Sequence, residues 1–171
     1  ARPTPAPSRT AAPTQNNLIY FSAKQTIAGI SLSTYNSDAS LYSSTLRSSI
    51  AACMTGVSGS NIINLVVSSI VSSSSNIALL RAATTSSIGA NYEVSVQGSA
   101  LSYSSLSSQL SSAVQSGQFD SYLHTNALQS GAVGFSNATS SSVSTEDLED
   151  SGSDDDKGLN NGVIAGIALA C

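Results

Sequence analysis

The stretch SIGANYEVSVQGS, residues 87–99, decides the fold. It sets Tyr92, Val94 and Val96 against Asn91, Glu93, Ser95 and Gln97 in strict alternation. Successive side chains of a strand point to opposite faces, so this is a strand with one buried and one wet side, as in an antiparallel sheet covered on a single face. The rest of the chain must supply partner strands and a cover.

Upstream, NIINLVVSSIV (61–71) is apolar and β-branched, and SSSSN (72–76) closes it as a turn, which predicts a second strand. The following ALLRAATTSS (78–87) has no decided period. Earlier still, LIYFSAKQTIAGISL (18–32) is β-branched and aromatic at its start and alternates later, which predicts a long first strand ending at STYNSD (33–38). There Ser33, Thr34 or Asn36 is placed to cap a helix whose apolar positions Leu41, Leu46, Ile50, Cys53 and Met54 share one face, with Gly56 as its stop.

Downstream, Leu106, Leu110 and Val114 recur every fourth residue between serines, predicting a helix over 102–116 that stops at Gly117. QFDSYLHTNALQ (118–129) continues it with Phe119, Leu123 and Leu128 inward, and AVGFSNATSSSV (132–143) resumes alternation as a last strand ending near Val143. The order strand, helix, strand, strand, helix, strand predicts an α+β fold, a ferredoxin-like βαββαβ sandwich: a four-stranded antiparallel sheet with two helices on one face. Extended N- and C-terminal arms flank it. The expected divisions are a Pro/Thr-rich arm (1–17), the domain (18–145), an acidic linker (146–161) and an apolar strand (162–171).

Of 171 residues, 39 are serine and only 9% are charged, so the surface is hydroxylated rather than ionic, as in chains exposed outside the cell and often carrying sugar. Seven of the ten acids lie between Glu146 and Asp156, which leaves the folded body nearly neutral. Six scattered basic residues form no stripe for a phosphate backbone, and nucleic acid is not expected as a partner. The chain opens on Ala1 without a basic segment leading into an apolar one, so a mature product with its signal peptide removed is expected.

The arm ARPTPAPSRTAAPTQNN has the composition of O-glycosylated stalks, with Thr4, Ser8, Thr10 and Thr14 as candidate acceptors. Asn137-Ala138-Thr139 is an N-glycosylation acceptor. Cys53 and Cys171 are disulfide candidates. The acidic run lacks the spacing of a twelve-residue calcium loop, so it reads as a solvated linker, and no metal or cofactor is expected.

NNGVIAGIALAC (160–171) is an abrupt apolar stretch far shorter than the ~20 residues of a membrane span. Either it is a strand, carried by Val163, Ile164, Ile167 and Leu169, that joins a sheet of its own chain or of a neighbouring copy, or it is the start of a membrane-spanning segment. Donation to a neighbour does not close, and so propagates as a filament. Cys171 at the strand's tip would then reach Cys53 of the acceptor.

No pattern of residues predicts an enzyme. The single histidine, His124, shares a helical face with Asp120, but there is no G-x-S-x-G elbow, phosphate loop, HExxH or CxxC. A small hydrolase built on His124 is the weaker reading.

KQTIAGISLSTYNSD (24–38) leading into a helix, and IAACMTGVSGSNI (50–62) leading into the second strand, carry a resemblance. Over residues 18–145 the chain resembles the ferredoxin-like or SEA-like modules of extracellular proteins of algae and other protists. The resemblance implies an ectodomain module of the kind often found beside a membrane span, some relatives of which build cell-surface fibrils. Self-cleaving SEA modules carry Gly-Ser and valines between the second and third strands; SSIGANYEV (86–94) does not, so self-cleavage is not expected. The expected function is a structural subunit of an extracellular glycosylated filament, polymerising with itself and free of membrane in its mature form. A membrane-anchored cell-surface ectodomain is the alternative.

Overall fold

The computed structural model describes residues 18–70, 86–98 and 100–148. The first strand, β1 (Leu18–Ala28), buries Ile19, Phe21, Ala23, Gln25 and Ile27 and turns the residues between them away from the core. It stops four residues before the expected Leu32 because Gly29 takes φ +87°. A side chain is strained there, and a Cβ would stand 2.7 Å from the Asn137 carbonyl oxygen. Ile30 is then buried, and Ser31, rather than Ser33, Thr34 or Asn36, caps the first helix by accepting the Thr34 N–H at 3.0 Å.

The helix expected to be continuous is two: α1 (Leu32–Ser37) and α2 (Ala39–Ala52), broken at Asp38 (φ −149°, ψ 74°). Asp38 recaps the chain by accepting the Leu41 N–H at 3.0 Å. Tyr42, Leu46 and Ile50, four apart, form the buried face of α2. Asn61 then steers the chain into β2 (Ile62–Ile70), accepting the Ser58 N–H at 2.9 Å and donating to the Ser95 carbonyl at 2.8 Å.

The alternating stretch forms β3 (Ser87–Gln97), with Ile88, Ala90, Tyr92, Val94 and Val96 buried. α3 (Tyr103–Gln115) and α4 (Gln118–Ser130) follow, separated at Gly117, whose φ of +74° lets the second helix leave at a new angle. Helix α4 buries Phe119, Leu123 and Ala127. Leu128, expected in the core, is 78% exposed. Steps of four keep one face, and the fifth step from Leu123 rotates Leu128 off it. Accordingly, Leu123→Ala should lower stability by about 2–5 kcal/mol, whereas Leu128→Ser should stay within about 0.5 kcal/mol, both read from urea midpoints.

The last strand was expected from Ala132. Instead Val133–Phe135 makes a tight 3-10 turn that drives Phe135 into the core, edge-on to Tyr42 with ring centres 5.2 Å apart. Strand β4 occupies Thr139–Asp147. It therefore runs past Val143 and takes Glu146 and Asp147, assigned above to the linker, into the sheet. The Leu148 N–H still donates to the Tyr20 carbonyl at 3.1 Å.

The sheet order is β2-β3-β1-β4, antiparallel throughout. Helices α1 and α2 span the connection from β1 to β2, and α3 and α4 the connection from β3 to β4. The fold is α+β, consistent with a ferredoxin-like sandwich, with each crossover helix broken in two. One apolar core lies between the helices and the inner face of the sheet.

Candidate assembly surface

The sheet face turned away from the core carries Tyr20, Ser22, Lys24 and Thr26 from β1, Asn91, Glu93 and Ser95 from β3, and Ser142 and Ser144 from β4. Hydroxyls and amides dominate its centre. Its β2 margin is different, for the register with β3 puts Ile63, Val66 and Ile70 on this same face. Val66 is 60% exposed and Ile70 36% exposed. Ile70 folds over Gly89, where an added Cβ would meet its side chain at 3.3 Å, and the two help frame a shallow depression of about 340 Å³.

Edge strands expose unpaired backbone N–H and C=O groups, and proteins normally blunt them with charge or proline. Between Ile62 and Ile70 there is neither. The one irregularity is a bulge between Ile63 and Val66, where Asn64 adopts φ 50°, a conformation asparagine tolerates better than most residues. The bulge is pinned by a polar chain, since Asn64 Nδ2 donates to Glu93 Oε2 at 2.6 Å and the Tyr20 hydroxyl donates to the same carboxylate. That hydrogen bond, aided by burial and the carboxylate charge, raises the Tyr20 pKa. From Val66 to Ile70 the pairing with β3 is regular.

The opposite edge, β4, reads TSSSVSTED, with Glu146 and Asp147 at its end and a bulge of its own opposite Thr26 and Ile27. Its start is fixed to α4 by the two residues considered above for catalysis. Asp120 Oδ1 accepts the Ser140 N–H at 2.7 Å, and His124 Nε2 lies 2.7 Å from the Ala138 carbonyl. A carbonyl only accepts, so Nε2 carries the proton and donates it to the backbone. Behind them Gln25, buried in β1, donates to Ser140 Oγ at 2.8 Å and accepts from the Tyr92 hydroxyl at 3.1 Å. These side chains satisfy buried polar groups and lock β4 in register. Sequence reasoning missed Gln25, whose signal was its place on the inward side of an alternating strand. Among the described residues no group of three His, Cys, Asp or Glu could hold a metal, and no helix is long and apolar enough to cross a membrane.

Asn137 is exposed in the turn before β4, a position open to a glycan, while its neighbour Ala138 is buried. Cys53 is half-buried at the end of α2 and its thiol donates to the Ser49 carbonyl at 3.3 Å. Burial pushes this thiol up to about 12, from an ordinary 9.0. Its thiolate is then roughly a thousandfold scarcer near neutral pH than that of a free thiol, so disulfide exchange at Cys53 is slow unless the helix end opens. In a Cys171→Ser background, labelling of Cys53 by a thiol reagent at pH 8 should run about a thousandfold slower when folded than in urea. Because the folded value is raised, the associated stability is present below pH 9.0 and is lost as the pH climbs toward about 12. Thr4, Ser8, Thr10, Thr14, Cys171 and the residues expected to carry assembly, Val163, Ile164, Ile167 and Leu169, lie outside the described residues.

No protein-family model, curated protein or solved structure matches the chain.

Proposed function

We propose that this chain is a structural subunit of an extracellular, glycosylated filament, joined head-to-tail when the apolar segment 162–171 of one copy adds as a strand to the sheet of the next. The observation that carries the reading is an uncharged edge strand with Val66 60% exposed beside Ile63 and Ile70. Such an edge is a template for strand addition, in which backbone hydrogen bonds supply affinity and side-chain fit supplies selectivity. The hydroxyl-rich surface, the exposed sequon at Asn137 and the SEA-like resemblance of residues 18–145 support an extracellular setting. In this reading the chain is not an enzyme, and His124 and Asp120 serve the fold.

Electron microscopy of the purified full chain tests it: regular fibres are expected, and monodisperse particles at high concentration would refute polymerisation. The second reading is a membrane-anchored ectodomain, favoured by the same apolar segment if it opens a span. The intact mass of the native protein separates the two, since an anchor requires apolar sequence beyond Cys171.

A further inference from the structure

Strand addition needs an acceptor, and the sheet formed by the described residues offers two edges. We infer that the acceptor is β2, along Val66–Ile70, and that its occupant is the segment Val163–Leu169 of a second copy; this rests on the strand-donation reading above.

Charge separates the two edges. The donor segment follows an acidic run holding Glu146, Asp147, Glu149, Asp150, Asp154, Asp155 and Asp156. On the acceptor, β4 itself contains Glu146 and Asp147 and leads directly into the same run. A donor laid along β4 brings two acidic runs together in a region of few cations, and like charges in proximity oppose binding. Strand β2 contains no charged residue and lies three strand spacings away, roughly 14 Å at about 4.8 Å each.

Side-chain chemistry points the same way. Strand addition extends both faces of a sheet, so the acceptor's rim should be apolar above and below. At β2 the outer face offers Val66 and Ile70, and the inner rim offers Leu65 and Val67, half-buried against the core. At β4 the outer face offers Ser142, Ser144 and Glu146, which gain nothing from an apolar neighbour. The donor alternates Val163, Ala165, Ile167 and Leu169 with Ile164, Gly166 and Ala168. Its larger set covers Val66 and Ile70, and its smaller set fits the inner rim. Asn137 adds a third argument, since it precedes β4, so a glycan there crowds that edge and leaves β2 clear.

The test uses the full chain carrying Ile164→Asp and Ile167→Asp, which leaves its acceptor vacant, and a synthetic peptide of residues 160–171 with serine in place of its cysteine and a nitroxide at its N-terminus. The peptide should bind, and its spin label should broaden amide signals of Val66–Ile70 more strongly than those of Thr139–Asp147. Val66→Asp should weaken binding about tenfold or more by setting an uncompensated charge against apolar groups, while Ser142→Asp should change it less than about twofold. Val66 is exposed, so this substitution spares the fold, and the broadening pattern needs no substitution in either edge. Broadening stronger at β4 than at β2, or loss of binding with Ser142→Asp alone, would overturn the assignment of the edge and leave strand donation standing. No binding up to the solubility limit of the peptide would overturn strand donation itself. Dimers of the tail-substituted chain that form through β2 would mean that a second copy pairs there directly, and would overturn the assignment of its occupant.

Discussion

If copies join by strand donation as proposed, removing residues 160–171 should leave only monomers, the largest change expected of any alteration to this chain. A strand-sized segment of about seven residues forms most of its backbone hydrogen bonds with the acceptor at once, so its loss removes the whole contact rather than trimming it. Among the described residues the core is one cluster in which Phe21, Leu46, Ile88, Leu110 and Phe135 are fully buried and pack with one another. The truncated chain should therefore sediment as a single species of constant size from low to high concentration, with an unchanged unfolding midpoint. Fibres that persist after truncation would count against donation of this segment.

Gly29→Ala should produce the largest loss of stability from adding a single methyl group. Two penalties coincide. A non-glycine residue in the left-handed region costs about 1–2 kcal/mol, and overpacking against a fixed group costs about 1–3 kcal/mol. Here the group is backbone, the Asn137 carbonyl oxygen at 2.7 Å from the added carbon, and it cannot rotate away as a side chain would. Asn137 is held in turn, because Phe135 and Ala138 on either side are fully buried. A loss of about 3 kcal/mol, or roughly 10 °C in Tm, is expected by calorimetry. A shift below about 2 °C would mean that the turn before β4 yields freely, contrary to the packing described. Gly117→Ala is the control for backbone conformation alone, since nothing lies within 4 Å of a Cβ there.

The layout of strands and helices was legible because serine makes a clean background for apolar periods. Tyr92, Val94 and Val96 alternate, and Leu106, Leu110 and Val114 recur every four residues, with little else apolar to confuse them. Boundaries were less legible where two signals overlapped. Ile30 and Leu32 continue the alternation of β1, and only the φ of +87° at Gly29 reveals that the strand has ended. Phe135 falls on an alternating pattern too, yet reaches the core through a tight turn. Leu128 competed with Ala127 for the inner face of α4, and position prevailed over hydrophobicity, as helix geometry requires.

The candidate surface was only half visible. NIINLVVSSIV is apolar enough to read as a buried strand, and nothing in it says that it lies at an edge; that follows from the order β2-β3-β1-β4. Asn64 was the available clue, a turn-forming residue in a β-branched run, and it marks the bulge. Roles for Asp120 and His124 were hidden for another reason. Their partners are backbone groups of Ser140 and Ala138, which no side-chain motif encodes.

Hydrogen exchange on the assembled full chain, compared with the same chain carrying Ile164→Asp and Ile167→Asp, addresses the central claim without a label or a substitution in either edge. If a neighbour's strand pairs with β2, the outward amides between Val66 and Ile70 should exchange at least about tenfold more slowly in the assembly, with those of Thr139–Asp147 unchanged. Equal exchange along β2 in the two preparations would contradict the account.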